Sequence, residues 1–331
     1  MEFHLSFCPY QRAFTPPLRT ARGEWSVRAG FIVRVEGTLG VGYGEVAPIP
    51  EFGTETVEAA QAYLSQVAGN VVESEALMIP ETLPCCAFGI SSALLATKRP
   101  PRRDYAVAAL LPAGRDVLKV AQAKIADGYT SFKWKIGVEP PTVEQALLAD
   151  LFKLLPNAAQ LRLDANGGLT EESLKQWLKL LQKYSQQIDY LEQPLPVGQE
   201  AMMARYASEF QAPIALDESL HGSAADSWLK PGAWPGPLVI KPALMGDCRT
   251  LIQRLRPVAT QVVFSSVFET AIGLENTLHI ADQLSELHRP IGFDTLAAFP
   301  DSLSILKPAP VIKMHGREKL DFSTVWNRLD V

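Results

Sequence analysis

Strand-like and helix-like patterns alternate regularly from Tyr105 to Asp294. Short strand-like stretches, such as Gln160–Ala165 and Leu238–Pro242, are each followed by a longer stretch in which apolar residues have helical spacing. This alternation indicates βαβ units and a parallel sheet that is buried on both faces. Seven or eight such units suit a closed (β/α) barrel. An open doubly wound sheet is the alternative, but no glycine-rich phosphate-binding turn follows the first strand.

Residues 1–97 have a different pattern, which predicts a small α+β domain. Alternating apolar residues over Ala29–Val46 predict a hairpin, and apolar stripes predict helices over Thr54–Val67 and Phe88–Ala96. We interpret Arg12–Glu24 as a loop because it is rich in arginine and proline. Long loops of an appended domain often close over a site in the main domain.

A change in composition marks the predicted domain boundaries. Lys98–Arg103 contains four cations and two prolines without an aromatic residue, which is typical of a linker rather than of a nucleic-acid patch. The barrel is therefore predicted over 98–299. Residues 300–331 show little barrel periodicity, and we expect them to pack back on the first domain.

The overall composition excludes several kinds of partner. The net charge of −5 is not segregated, so we expect no nucleic-acid or membrane-surface partner. No apolar run approaches the roughly 20 residues of a transmembrane helix, and the first residues lack a signal-peptide pattern. Four cysteines without CxxC spacing predict buried reduced thiols and a cytoplasmic protein. Nothing in the sequence indicates a particular oligomeric state.

The stretch Ser131–Gly137 carries two lysines in an alternating pattern. Successive side chains of a strand point to opposite faces, so Lys133 and Lys135 share one face and the apolar residues share the other. Two ammonium groups on one buried face need anionic partners or lose protons. The alternative is an edge strand with a solvated basic face.

Acidic residues end three consecutive predicted strands. Asp164, Glu192 and Asp217 are 28 and 25 residues apart, and Lys241 ends the following strand 24 residues later. Because the carboxyl ends of barrel strands meet at one mouth, these side chains are predicted to cluster there. Three clustered carboxylates repel one another unless a divalent cation joins them, and an all-oxygen set suits Mg²⁺. The alternative is that the acids cap helices or pair with lysines.

The two flanking lysines predict proton transfer next to a carboxylate. Lys135 and Lys241 come from the second and sixth barrel strands, so they face each other across the predicted mouth. A small-molecule carboxylate bound to Mg²⁺ between them becomes acidic at its α-carbon, because the cation stabilises the charge that develops. Lys133 would favour the neutral form of its neighbour Lys135 through like-charge repulsion.

These motifs resemble those of the enolase superfamily, in the muconate-lactonizing subgroup that has a lysine on each face of the substrate. The matching residues are Lys133 and Lys135 (K-x-K), Asp164 and Asn166 (D-x-N), Glu192 (E-x-P), Asp217 and Glu218 (D-E-S) and Lys241 (K-P). The resemblance implies an α/β fold, a modified (β/α)7β TIM barrel with an N-terminal α+β capping domain. It also implies Mg²⁺, with Mn²⁺ as a substitute, bound by the three strand-end acids, with Asn166 and Glu218 beside them and the lysines as acid and base.

Further stretches are similar to the o-succinylbenzoate synthase family. They are Leu18–Gly23, Pro48–Gly53, Ala87–Gly89 with Ser91, Ser265–Ser266 and Gly292–Leu296. This narrower resemblance implies dehydration of 2-succinyl-6-hydroxy-2,4-cyclohexadiene-1-carboxylate to o-succinylbenzoate through an enediolate, in menaquinone or phylloquinone biosynthesis. The substrate-binding residues that we predict are Arg22, Phe52, Gly53, Ser265, Ser266 and Gly292.

Two kinds of alternative remain at this level. N-succinylamino acid racemases and dipeptide epimerases use the same lysine pair and metal, and Asp294 is a candidate for holding a substrate amine. A non-catalytic metal-binding barrel is more remote, because lysines are present on both faces. Metal-dependent exchange of an α-proton with solvent deuterium separates an enzyme from such a binding protein.

Overall fold

The fold is described from a computed structural model. It describes residues 2–20, 23–73, 77–96, 103–222, 225–284, 286–299, 301, 303–304, 306–315 and 321–329. Most of the predicted linker Lys98–Arg103, and Arg22, lie outside these residues. Among the described helices, none combines the length and apolar character needed to cross a bilayer.

The N-terminal part forms a four-stranded antiparallel sheet with two helices. Its strands run in the order β3-β2-β1-β4. They are β1 (Glu2–Thr20), β2 (Gly23–Gly37), β3 (Gly40–Val46) and β4 (Val71–Glu73), and the helices are α1 (Val57–Val67) and α2 (Pro84–Ala96). The side chain of Thr56 caps α1 by accepting a hydrogen bond from the Ala59 amide.

The predicted loop over Arg12–Glu24 is wrong, because β1 and β2 form one long hairpin there. Arg12 pairs with Arg28, and Leu18 pairs with Trp25 after a register shift. Arg12 occupies an inward position of β1 and is buried. Its guanidinium is compensated by Asp301, at 2.7 Å, so a charged residue takes a position that the alternating pattern normally gives to an apolar one.

The second part alternates strands and helices. Its strands are β5 (Tyr105–Ala106), β6 (Ala109–Leu111), β7 (Ser131–Lys135), β8 (Gln160–Asp164), β9 (Ile188–Glu192), β10 (Ile214–Ala215), β11 (Leu238–Ile240) and β12 (Val262–Phe264). The helices are α3 (Asp116–Ala126), α4 (Pro141–Leu154), α5 (Glu171–Leu181), α6 (Glu200–Phe210), α7 (Ala225–Trp228), α8 (Cys248–Leu255) and α9 (Ala271–Ala281).

These strands close into a barrel. β6 to β10 form one parallel sheet and β11 pairs with β12. The remaining seams are closed by single parallel bridges, which join Leu216 to Leu238, Ser265 to Gly292, and Ile291 to Val107. The described residues therefore contain eight barrel strands, the last of which is the short bridged segment at 291–292. A helix follows each of the first seven. This arrangement confirms the predicted (β/α)7β barrel, and the antiparallel N-terminal sheet is consistent with the capping domain.

The C-terminal segment contributes one short strand and one helix. β13 (Val311–Ile312) pairs with β5, and α10 (Phe322–Leu329) follows it. Phe322 and Trp326 of α10 pack against Tyr43 of β3. The same apolar cluster includes Ile272 of α9, so it joins the N-terminal sheet, the barrel and the C-terminal helix. The predicted domain boundaries at residues 97 and 299 stay predictions.

Candidate active site

The strand register brings the predicted acids together at one end of the barrel. Lys135 lies opposite Asp164, and Asp164 lies opposite Glu192. Lys133 reaches across to both acids, with its Nζ 2.8 Å from Asp164 Oδ2 and 2.6 Å from Glu192 Oε1. The flanking Trp134 is fully buried on the other face of β7, as the alternating pattern predicts.

The fifth and sixth strands supply a second ion pair. Lys241 Nζ donates to both carboxylate oxygens of Asp217 at 2.6 Å. His221 Nε2 lies 3.6 Å from Asp217 Oδ1. Burial raises the pKa of Asp217, but Lys241 and His221 outweigh it and hold that pKa well below its usual range. Asp217 is therefore a buried carboxylate that stays ionised.

The donor set fits a hard divalent cation. Asp164, Glu192 and Asp217 are all buried and offer only oxygen. Within the described part of the chain, Glu192 Oε2 has no hydrogen-bond partner. Burial and the adjacent Asp164 carboxylate raise the pKa of Glu192 well above its usual range, so the single Lys133 ammonium does not compensate both acids.

The lysines hold the carboxylates in this conformation. Within the part of the chain that the structure describes, no three His, Cys, Asp or Glu side chains are arranged around a common point for a metal ion. Instead, Lys133 Nζ donates to Glu192 Oε1 and Lys241 Nζ donates to Asp217 Oδ1.

Neighbouring polar side chains fix the carboxylates. Asn166 has a left-handed backbone, with φ of 45°. The backbone N–H of Asn166 donates to Asp164 Oδ1, and its side-chain Nδ2 donates to Glu218 Oε1, both at 3.1 Å. Burial raises the pKa of Glu218 to about 7, and the Asp217 charge adds to this effect. The predicted pair Asn166 and Glu218 is thus joined directly beside the acids.

Gln193 is a supporting residue that the sequence analysis missed. It is fully buried, and its Oε1 accepts from the backbone N–H groups of Asp217 at 3.0 Å and Ser219 at 3.3 Å. The local sequence gives no signal for this role, because the groups that Gln193 binds at Asp217 and Ser219 lie 24 and 26 residues later in the chain. The Gln193 side chain therefore holds in place the loop that contains Asp217.

A pocket beside the acids is lined by residues of both the N-terminal part and the barrel. Lys133, Lys135 and Lys241 all line it. Lys135 and Lys241 come from the second and sixth of the eight barrel strands, which lie diametrically opposite each other in a closed barrel. The other lining residues are Trp25, Ile49, Phe52, Ala108, Leu110, Asp164, Asn166, Asp217, Glu218, Ser265, Ser266, Val267, Phe268, Gly292, Asp294 and Thr295.

Comparisons with known proteins agree with this geometry. A family model described as the MenC N-terminal domain matches residues 15–97, and one described as enolase C-terminal domain-like matches residues 116–233. The o-succinylbenzoate synthase of Thermosynechococcus vestitus is 38% identical over 291 residues, which cover 86% of this chain and 90% of that protein. The chain belongs to the o-succinylbenzoate synthase family of the enolase superfamily.

Solved structures extend the comparison to three dimensions. The o-succinylbenzoate synthase of Thermosynechococcus elongatus, described as complexed with Mg in the active site, is 34% identical and superposes with a TM-score of 0.84. The match covers 98% of this chain and 99% of that one. The L-Ala-D/L-Glu epimerase of Bacillus subtilis has the same fold at 17% identity, with a TM-score of 0.79 and coverage of 95% and 96%.

In this member of the o-succinylbenzoate synthase family, only some of the predicted substrate-binding residues line the described pocket. Phe52, Ser265, Ser266 and Gly292 line the pocket, and the Phe52 ring centroid lies 5.2 Å from Lys241 Nζ. Gly53 closes the turn that carries Phe52, with φ of 85°, and is not part of the described pocket wall. The predicted contact Arg22 lies outside the described residues. Roles in substrate binding remain predictions.

Arg28 links the capping wall and the barrel wall of this pocket. The sequence analysis did not predict it as a site residue. Its guanidinium donates to the carbonyl oxygens of Ala47 at 2.6 Å and Pro48 at 2.7 Å, next to the turn that carries Phe52. It also donates to the carbonyl oxygen of Val267 at 3.2 Å, in the loop after the seventh strand. One buried cation thereby sets the separation of the capping and barrel walls.

Proposed function

We propose that the protein catalyses Mg²⁺-dependent dehydration of 2-succinyl-6-hydroxy-2,4-cyclohexadiene-1-carboxylate to o-succinylbenzoate. The reaction class is a carbon–oxygen lyase, in menaquinone or phylloquinone biosynthesis. The observation that carries the proposal is the pocket in which Lys135 and Lys241 face each other beside three buried carboxylates. The named relative with 38% identity over most of both chains supports the choice of substrate.

We propose Asp164, Glu192 and Asp217 as the ligands of Mg²⁺, with Mn²⁺ as a substitute. Bound at these acids, the ion supplies positive charge to the substrate carboxylate as negative charge develops there. The protein prepares this site by burying the three acids and by fixing two of them from the backbone, through Asn166 and Gln193. These contacts orient the acids whichever cation neutralises them.

The two opposed lysines have different roles in this proposal. Lys135 removes the α-proton and returns a proton to the departing hydroxyl group on the same face. Lys241 keeps its proton, and its ammonium stabilises the negative charge from the opposite face. Its close ion pair with Asp217 raises the pKa of Lys241 against the lowering effect of burial, which supports the charged form. Lys133 is fixed between two acids and acts on Lys135 by its charge.

The contacts of Asp294 favour this reaction over dipeptide epimerisation. Its Oδ1 accepts from the Tyr129 hydroxyl at 2.9 Å, and its Oδ2 accepts from the Leu110 amide at 2.9 Å. Lys124 Nζ lies 2.5 Å from the same Oδ2. A carboxylate engaged by these three groups already has its partners, so it is poorly placed to hold the ammonium group of a dipeptide.

A direct assay tests the proposal. The purified protein is supplied with Mg²⁺ and the cyclohexadiene carboxylate, and N-succinyl amino acids are tested beside it. We expect rapid formation of o-succinylbenzoate that stops in excess chelator. Turnover that persists in chelator would contradict the metal assignment, and faster racemisation than dehydration would favour the N-succinylamino acid racemase alternative. A protein without either activity would fit the non-catalytic alternative.

Single-lysine variants test the assigned roles. Lys135→Ala should lose both turnover and exchange of the α-proton with solvent deuterium on a slow analogue. Lys241→Ala should turn over at least about a hundredfold more slowly, because electrostatic stabilisation is lost, while it keeps slow exchange. The opposite pattern of exchange would reverse the two roles. Proton exchange by nuclear magnetic resonance separates these outcomes.

We also propose a cytoplasmic location and a small-molecule substrate as the principal partner. The four cysteines are buried free thiols, which supports a reducing compartment. The pocket is lined by three lysines around its acids, and this arrangement suits a compact anionic ligand. Fractionation of cells that express the tagged protein checks the location.

A further inference from the structure

A chain of three oxygen-bearing side chains leads from the pocket wall towards the capping sheet. Thr295 and Ser266 line the pocket, and Thr295 Oγ1 donates to Ser266 Oγ at 2.8 Å. Ser266 Oγ then donates to Glu269 Oε2 at 2.5 Å. The amide of Phe268 donates to the same hydroxyl oxygen at 2.9 Å. Glu269, at the end of this chain of side chains, is buried, with 5% of the residue exposed.

The direction of these hydrogen bonds decides what the wall can offer a ligand. A hydroxyl group has one hydrogen and two lone pairs. Ser266 therefore gives its hydrogen to Glu269 and uses both lone pairs for Phe268 and Thr295. Thr295 gives its hydrogen to Ser266. While Glu269 is ionised, neither hydroxyl has a hydrogen left for a ligand in the pocket.

Protonation of Glu269 reverses the chain. A neutral carboxyl group donates its own hydrogen to Ser266 Oγ, and the Ser266 hydrogen then turns to Thr295 Oγ1. The hydrogen of Thr295 is released into the pocket. One proton taken from solvent thus converts the wall from an acceptor into a donor, and a donor is what a carboxylate ligand needs.

The groups around Glu269 favour such a proton. Burial, with a smaller contribution from the charge of Glu45, raises the pKa of Glu269 to about 7 against the lowering effects of Ser266 and the local backbone. None of the residues that the structure describes forms a hydrogen bond with Glu269 Oε1. Glu45, on β3, is itself satisfied by the Tyr10 hydroxyl, the Thr270 amide and hydroxyl, and the Gly273 amide.

The nearby cations bind the backbone of this loop. Arg12, on β1, donates to the carbonyl oxygen of Glu269 at 3.0 Å and pairs with Asp301. Arg28, on β2, donates to the carbonyl oxygen of Val267. Among the described contacts, neither guanidinium reaches the carboxylate of Glu269. Its ionised form therefore lacks a direct cationic partner, although it lies close to two arginines.

We propose that Glu269 is a positioning residue that sets the direction of the Ser266–Thr295 hydrogen bonds and so controls whether the wall donates to the succinyl carboxylate. The inference rests on the proposed function, since that function supplies a ligand whose second carboxylate lies away from the metal-binding acids. The carboxyl group of Glu269 is protonated at low pH, and the protonated form is the one that makes the wall a donor. Affinity is therefore highest below the titration of Glu269 and falls as pH rises through it.

Binding of the product o-succinylbenzoate tests the proposal in the presence of saturating Mg²⁺. Calorimetry between about pH 6 and about pH 8.5 avoids titration of the ligand, since free carboxyl groups titrate near pH 4. For the wild type we expect Kd to rise about tenfold across this range, the usual effect of losing one hydrogen bond to a charged group. Three variants are measured beside it, namely Glu269→Gln, Thr295→Val and the control Glu275→Gln.

Each variant has a distinct expected result. In Glu269→Gln the amide donates permanently to Ser266, so Kd should stay low and nearly independent of pH. Thr295→Val lacks the last donor, so Kd should be high and nearly independent of pH. Glu275→Gln changes another buried glutamate, on α9, and it should keep the wild-type dependence on pH. Its oxygens form no hydrogen bond with the described residues, and Oε1 lies 3.6 Å from His279 Nε2.

The outcomes separate this inference from the proposed function. A wild-type Kd that does not change with pH, or a Glu269→Gln variant with the wild-type pH dependence, would overturn the role of Glu269. A protein that binds no o-succinylbenzoate at any pH would overturn the proposed function instead. Circular dichroism checks that each variant is folded, and Thr295→Val supplies an independent test if Glu269→Gln is not.

Discussion

Removal of the Gln193 amide should disturb the site more than any single contact suggests. Its Oε1 accepts from the amides of Asp217 and Ser219, and its Nε2 donates to Ser219 Oγ at 2.9 Å and to the Leu195 carbonyl oxygen at 3.1 Å. Methionine has a similar length and is flexible, so Gln193→Met removes these hydrogen bonds and leaves little empty space. The perturbation is therefore mainly one of hydrogen bonding.

The size of the effect follows from the groups that lose their partner. Ser219 Oγ keeps its 2.6 Å hydrogen bond to Glu200, so its loss is small. The two backbone N–H groups are buried, and each unsatisfied donor costs about 1–3 kcal/mol. The free energy of unfolding should thus fall by about 2–6 kcal/mol, a large part of the usual 5–15 kcal/mol or so. Because the Asp217 loop is released, affinity for Mg²⁺ should fall about 10- to 100-fold.

Urea unfolding and Mg²⁺ titration of turnover measure the two effects. The control is Gln182→Met, which changes an exposed glutamine and should alter the free energy of unfolding by less than about 0.5 kcal/mol. If Gln193→Met unfolds at the wild-type urea concentration and reaches half-maximal turnover at the wild-type Mg²⁺ concentration, Gln193 does not hold the Asp217 loop. Lower stability with unchanged Mg²⁺ dependence would refute only the link to the metal site.

Three further changes test other parts of the structure. Asp217→Asn keeps the shape but loses a charge, so turnover should fall by about a hundredfold or more and excess Mg²⁺ should restore little of it, as a Mg²⁺ titration measures. Gly44→Ala places a Cβ 1.9 Å from the Gly89 carbonyl oxygen, so the thermal midpoint should fall sharply, and calorimetry that finds no change would contradict this packing. Arg28→Lys cannot reach the carbonyl groups of both walls, so KM should rise about tenfold with a smaller change in kcat, and an unchanged KM would argue against its role.

The sequence by itself determined the barrel and the place of its acids. Alternating strands and helices are local patterns, and parallel strands necessarily bring their carboxyl ends to one mouth. The acids at Asp164, Glu192 and Asp217 therefore had to meet once the strands were recognised. The alternation in Lys133–Lys135 similarly determined which face of β7 would point into the barrel, because the period of a strand is two residues.

Only the tertiary structure decided which partners these groups have. Arg12 was placed in a loop because Arg12–Glu24 is rich in arginine and proline, but Asp301, 289 residues later in the chain, compensates its buried charge inside a strand. Gln193 and Arg28 were missed because their acceptors and donors are backbone groups of other loops, which leave no pattern in the sequence around them. Local spacing fixes the face of a strand on which a side chain lies, whereas a buried charge or amide is stabilised by whatever distant group the fold brings within hydrogen-bonding distance.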